Sequence, residues 1–176
     1  LKLITSVKEA IILSTCNRSE LYLNTDHEGL EKAKLWLIKF KKIDYKTEKY
    51  LFIIQDEAAI NHLSRVACGL DSMILGEPQI LGQLKDAFRL ARQYHFTSGF
   101  FNPLFAHVFS VAKKIRTNTK IGNSPVSVAY AAVTLANQFF SGFKQHTALL
   151  IGAGMSIELT AKHLSNKGIG RLFIAN

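Results

Sequence analysis

The sequence predicts an α/β fold in two parts: an α+β unit over residues 1–121, then the first β-α-β of a Rossmann-type domain over residues 122–176. Three observations carry this. Ala10-Ile11-Ile12-Leu13, Ala148-Leu149-Leu150-Ile151 and Leu172-Phe173-Ile174-Ala175 are apolar runs of strand length, bounded by polar or turn residues. Between them, several longer stretches place apolar residues at helical spacing. The middle run passes directly into Gly152-Ala153-Gly154 and then into a helical pattern, the strand–turn–helix order that opens a Rossmann-type fold.

Ala10 to Leu13 reads as a short buried strand, and Glu20-Leu21-Tyr22-Leu23 alternates like a second one. A polar turn, Ser14-Thr15-Cys16-Asn17-Arg18-Ser19, joins them. Leu30, Ala33, Leu37 and Ile38 give the next helix one apolar edge, flanked by Lys34 and Lys41. Tyr50-Leu51-Phe52-Ile53-Ile54 has the length and β-branched content of a further strand. Asp56 is placed to cap a helix with Ala59, Ile60, Leu63, Val66, Ala67 and Leu70 on its inner face. Gly76-Glu77-Pro78 interrupts that pattern and starts a long helix with the stripe Ile80, Leu81, Leu84, Ala87, Phe88 and Ala91.

Asn102-Pro103 reads as cap and first turn of a helix through Ile115, in which Phe101, Phe105 and Phe109 are core rather than a platform for stacking bases. Ser124-Pro125 repeats the signal before an Ala/Val-rich helix from Val126 to Phe140, expected to be buried. The domain boundary belongs near Lys120-Ile121-Gly122-Asn123-Ser124. There is no internal repeat or low-complexity stretch.

With 48% apolar residues in 176, the chain can bury a substantial core. No apolar run approaches the roughly 20 residues of a membrane span, and the first residues do not form a signal peptide. Two cysteines, Cys16 and Cys68, make no disulfide framework, so a reducing cytoplasm is the default location. No Cys/His spacing resembles a zinc site, so no metal is expected. The formal charge of +9 suits an anionic partner as well as an ordinary solvated basic surface. The basic residues cluster at Lys32, Lys34, Lys39, Lys41 and Lys42, and again at Lys113, Lys114, Arg116 and Lys120.

From its own surroundings Cys16 admits two readings. Arg18 two residues away, with backbone N–H groups left free by the turn, is the environment that lowers a thiol pKa. A lone cysteine is otherwise a small buried packing residue.

Three blocks taken together decide between them. S-T-C-N-R-S-E-L-Y at residues 14–22, H-L-S-R-V-A-C-G-L-D-S-M-I-L-G-E-P-Q-I-L-G-Q at 62–83 and L-L-I-G-A-G-M-S-I-E-L at 149–159 resemble, in order, the glutamyl-tRNA reductase family. The resemblance runs from Ile11 to Asn176. It implies a longer protein, with a segment before Leu1, further strand–helix units after Asn176 and a helical dimerisation region beyond them.

The family reduces the glutamate ester of glutamyl-tRNA(Glu) to glutamate-1-semialdehyde with NADPH, the first committed step of tetrapyrrole biosynthesis. A thioester accepts hydride better than an ester, which is why a cysteine nucleophile helps. The resemblance therefore implies Cys16 as nucleophile and His62 as the group that polarises the carbonyl or handles a proton. It implies Arg18 for the substrate carboxylate, in a bidentate fork, with Thr15 and Asn17 lining the same turn. The residue-level alternatives are an Arg18–Glu20 surface pair and a structural histidine.

Ser72, Glu77, Pro78, Gln79 and Gln83 match further substrate-binding positions, with Glu77 suited to the α-ammonium or to the helix N-terminus. Cys68 reads as packing. Gly152, Ala153, Gly154, Met155, Ser156 and Ile157 match the NADPH-binding turn, with Ile157 where a third glycine usually stands. The second strand ends in Asn176 rather than in the acid that binds an NAD ribose, consistent with NADPH.

A homodimer and docking to glutamate-1-semialdehyde aminomutase are implied as well. Three competing readings remain. A tRNA-binding module explains neither Cys16 nor His62. An esterase-like remnant would form the thioester and lose it to water. A shikimate-dehydrogenase relative explains the glycine turn but not the Cys16 turn.

Overall fold

In the computed structural model, residue 4 and residues 6–42, 49–122 and 127–176 are described. Strand β1 (Val7–Ser14) pairs antiparallel with β2 (Ser19–Thr25), from Val7 opposite Thr25 to Ser14 opposite Ser19, with an irregularity between Val7 and Glu9. Ile11 and Leu13 are buried while Ile12 is exposed. The run that reads as wholly buried is buried except at Ile12; Ala10, which points to the same side as Ile12, is 3% exposed. The Ile11/Leu13 side belongs to the main hydrophobic core.

Helix α1 (His27–Lys41) is capped by Asp26, whose carboxylate accepts the Gly29 N–H at 2.8 Å. Tyr50 to Ile54 is not a strand. It finds no ladder partner among the described residues and leaves Tyr50, Phe52, Ile53 and Ile54 exposed. Apolar composition gives a segment affinity for burial, but only a neighbouring strand makes it part of a sheet.

Helix α2 (Asp56–Cys68) starts with Gln55 at the cap position, not Asp56. Asp56 is its first residue, with a left-handed φ of 54° and no side-chain capping bond. Its C-terminus is closed by Gly69 at φ 77°, the Leu70 N–H returning to the Arg65 carbonyl at 2.9 Å. Leu70 thus lies just beyond the helix but still packs on the core. The Gly76 N–H then bonds the Gly69 carbonyl at 2.9 Å, closing residues 69–76 into a loop. A side chain on Gly69 would meet the Gly76 Cα at 3.1 Å, so that close approach requires glycine.

Helix α3 (Pro78–Gln93) carries Pro78 in its first turn, as predicted. Helix α4 (Phe101–Asn118) begins one residue before Asn102-Pro103, and its cap comes from elsewhere. The buried Glu9 carboxylate on β1 accepts N–H from Ser98 and, at 3.0 Å, from Phe101. Asn102 instead accepts the Thr97 hydroxyl at 2.9 Å. A distant charged acceptor satisfies the helix donors more strongly than the local amide, which the sequence does not reveal.

β1 and α2–α4 form one core. Phe105, fully buried, is its hub: Phe88 stacks on it at 5.2 Å between centroids, and Phe101, Phe109 and Tyr22 meet it edge-on. The three predicted core phenylalanines are core.

A 3-10 turn (Lys120–Gly122) follows α4. Ser124 and Pro125 lie outside the described residues. Helix α5 (Val128–Phe140) is capped by Ser127, whose hydroxyl accepts the Tyr130 N–H at 3.1 Å. It is not buried all round: Ala129 and Val133 are inside, whereas Val128, Leu135, Phe139 and Phe140 are exposed. An Ala/Val-rich helix can be buried, but this one is buried where it packs against the small core formed with Phe143 and Leu164.

Strand β3 (Thr147–Ile151), helix α6 (Met155–Asn166) and strand β4 (Arg171–Ala175) complete the predicted β-α-β, with Thr147 to Ile151 parallel to Arg171 to Ala175. Val133, Phe143 and Leu164 form its separate small core. Among the described residues no helix is long and apolar enough to cross a membrane.

Candidate active site

The β1–β2 turn owes its shape to Thr15. Its backbone N–H bonds the Arg18 carbonyl at 2.9 Å, and its hydroxyl oxygen accepts the N–H groups of Asn17 and Arg18 at 3.2 and 3.1 Å. Those two amides are not free, as the sequence suggested, because a threonine hydroxyl can close a turn on its own backbone. Cys16 stands exposed at the tip, while Cys68 is 2% exposed on α2. Burial pushes the Cys68 thiol pKa up, against an opposing pull from Arg116.

Arg18 turns inward. Its Nη1 donates to Glu20 Oε1 at 2.8 Å and its Nη2 to the main-chain oxygen of Asp71. Arg18 and Glu20 side chains are 17% and 14% exposed, so the pair is not the surface contact that the residue-level alternative envisaged.

His62, on α2, meets the same group. Its Nε2 lies 3.2 Å from Glu20 Oε1 and its Nδ1 3.6 Å from Asp71 Oδ2. The Tyr22 hydroxyl donates to the second Glu20 oxygen. Burial and the adjacent Glu20 carboxylate raise the phenol well above its ordinary pKa. Arg65 bonds both Asp71 oxygens. That bond, foremost, holds the Asp71 carboxyl below the ordinary carboxylate range, against the opposite effect of burial.

Tyr22, Arg65 and Asp71 were not singled out in the sequence, and Glu20 only as a surface partner of Arg18. Each stands inside a quoted motif, but only tertiary structure brings the two motifs together.

The positions expected to bind substrate lie in the loop after α2 and at the start of α3. Ser72 follows Asp71 in the loop closed by Gly69 and Gly76. Glu77 occupies the cap position of α3 without a side-chain capping bond, and Pro78 follows it. Gln83 lines an open groove of about 650 Å³ with Leu13 and Ser14, leading toward the Cys16 turn. A smaller apolar depression of about 150 Å³ between β1 and α3 touches none of Cys16, Arg18 or His62 and belongs to packing.

Gln79 reaches the glycine turn: its Nε2 lies 3.4 Å from Met155 Sδ. In that turn Gly152 has φ 120°, and its N–H bonds the Ala175 carbonyl at 2.7 Å. Ile157, where a third glycine is usual, packs beside Gly152: a Cβ on Gly152 would stand 3.4 Å from Ile157 Cγ1. The N-terminus of α6, from Gly154 through Met155 and Ser156, has no side-chain cap, and the space beside Gly154, next to Ala153, is open. Free donors at a helix N-terminus beside open backbone fit a pyrophosphate.

A family model described as the N-terminal domain of glutamyl-tRNAGlu reductase matches residues 1–119, and one for shikimate/quinate 5-dehydrogenase matches residues 134–176. The chain is 50% identical over 177 residues to a glutamyl-tRNA reductase of Marinobacter nauticus, covering 100% of this chain and 41% of that protein. It is 52% identical over 179 residues to one of Chromohalobacter salexigens, covering 100% and 42%. Among solved structures, the glutamyl-tRNA reductase from Methanopyrus kandleri matches with a TM-score of 0.63 and 28% identity, over 99% of this chain and 42% of that one. The chain spans about two fifths of the length of these relatives.

Proposed function

Because the chain belongs to the glutamyl-tRNA reductase family, we propose that residues 1–121 form the acyl-accepting half of an NADPH-dependent reductase acting on glutamyl-tRNA(Glu). Residues 122–176 begin its dinucleotide-binding half. The product is glutamate-1-semialdehyde, and the step is the first of tetrapyrrole synthesis. The observation that carries this reading is one side-chain group holding Arg18 and His62 beside the exposed Cys16 turn.

The Cys16 thiolate attacks the ester carbonyl of tRNA-bound glutamate, and the C–O bond to the tRNA breaks. The departing alkoxide takes up a proton, and a thioester remains. Arg18 binds the glutamate side-chain carboxylate through the N–H groups that Glu20 and Asp71 leave unused. His62 polarises the carbonyl or passes a proton at that atom. Ser72, Glu77, Gln79 and Gln83 line the aminoacyl site around it.

NADPH, when bound, supplies the hydride that reduces the thioester to the aldehyde and returns the thiolate. Gly152, Gly154 and the first N–H groups of α6 are the residues that would hold its pyrophosphate. In the intact protein we further propose a cytoplasmic homodimer that hands the aldehyde to an aminomutase.

The test gives wild type and Cys16→Ser tRNA carrying labelled glutamate, without NADPH, and counts label held on protein in acid after RNA digestion. Label on wild type alone is expected. Equal label on both, or none on either despite tRNA binding, rejects Cys16 as nucleophile and leaves a tRNA-binding module.

A further inference from the structure

Arg18 and His62 do not touch each other in any hydrogen bond of the structure, yet two acids touch both. Glu20 Oε1 accepts Arg18 Nη1 at 2.8 Å and stands 3.2 Å from His62 Nε2. Asp71 accepts Arg18 Nη2 on its main-chain oxygen and faces His62 Nδ1 with its carboxylate at 3.6 Å. The four residues close a ring. It is braced from outside by the Tyr22 hydroxyl on Glu20 and by Arg65 on Asp71.

We infer that Glu20 and Asp71 are positioning residues, which set the relative placement of the guanidinium and the imidazole for the acyl transfer. The inference rests on the acyl-transfer reading above.

Three features argue for it. Glu20 Oε1 fixes the imidazole at Nε2, 3.2 Å away, while Asp71 Oδ2, at 3.6 Å, stands beyond hydrogen-bond distance of Nδ1 and leaves that nitrogen to act on the carbonyl. Arg18 has two of its five N–H donors held, so its plane is aimed while the rest stay available to a substrate carboxylate. And a partly buried cluster of an arginine, two acids and a histidine is an inefficient way to stabilise a fold, since well-packed apolar residues often do as well. Neither acid needs to touch substrate; each acts through Arg18 and His62.

The test measures single-turnover label transfer to Cys16 in the full chain, varying the labelled glutamyl-tRNA. Glu20→Gln loosens both Arg18 and His62, so the maximal rate should fall about 100-fold, the effect of a misplacement near 1 Å, and the half-saturating concentration should rise. Asp71→Asn keeps the main-chain bond to Arg18. It should lower the rate about 10-fold with the half-saturating concentration unchanged. A merely structural role would not split the two parameters this way.

Iodoacetamide alkylation of Cys16 and the urea midpoint serve as controls, and both should stay at wild-type values. Rates within threefold of wild type in both variants overturn the inference. So does a rate loss that tracks lost alkylation and a lower urea midpoint. Absence of label on wild type sinks the acyl-transfer reading itself; label on wild type with unaffected variants sinks only this one.

Discussion

The Glu9 carboxylate on β1 accepts the backbone N–H of Phe101, the first residue of α4, at 3.0 Å across 92 residues of chain. One buried acid thereby ties the first strand to the longest helix. Asn24 donates to its other oxygen at 2.6 Å. Burial by itself would raise this carboxyl pKa; the bonds from Asn24, Phe101 and Ser98 outweigh it and hold it below its ordinary value.

A carboxyl depressed in the folded state contributes stability that is complete above the unfolded pKa, about 4.3. That stability is lost as pH falls through the lower folded value. Glu9→Gln should therefore cost about 1.5–3 kcal/mol at pH 7 and flatten the loss of stability on acidification. Urea unfolding at pH 7, 4 and 3 checks this. Identical curves for variant and wild type would refute the capping role.

The two cysteines should separate cleanly by reactivity. Cys16 is exposed, whereas Cys68 is buried with its thiol pKa pushed up. Mass spectrometry after iodoacetamide at pH 8 should find one adduct, on Cys16, in the native chain, and two in denaturant. A native adduct on Cys68 would contradict the packing of α2.

Phe105→Ala should be among the most damaging single changes in the first core. Phe105 is 0% exposed and meets four other rings. The expected loss is about 3–5 kcal/mol, read from urea unfolding. A loss below 1 kcal/mol would mean the ring cluster is not the hub.

The glycine turn offers a paired test. Gly152→Ala forces a side chain into φ 120° and should cost about 1–3 kcal/mol. Gly154→Ala meets open space and should stay within about 0.5 kcal/mol of wild type. The reverse order in unfolding experiments would show that the turn adopts another shape.

What the sequence by itself determined is what a few neighbouring residues encode. Ala10 to Leu13 form an apolar run of strand length, Pro78 begins a helix, and Gly152 ends a strand; these are local constraints of backbone and composition, and the structure keeps them. The Cys16, His62 and Gly152 motifs are the stretches from which the candidate site is built.

Tertiary structure alone decided which residues meet. Asn102 looked like the cap of α4, but a buried Glu9 outcompeted it. Tyr50 to Ile54 had the composition of a strand but no ladder partner. Arg18 and His62 stood out singly; the sequence offered Glu20 only as a surface partner of Arg18, and Asp71, which also joins them, gave no signal. Hydrogen-bond pairing between distant segments depends on where the packed core delivers them, and local pattern carries no record of that.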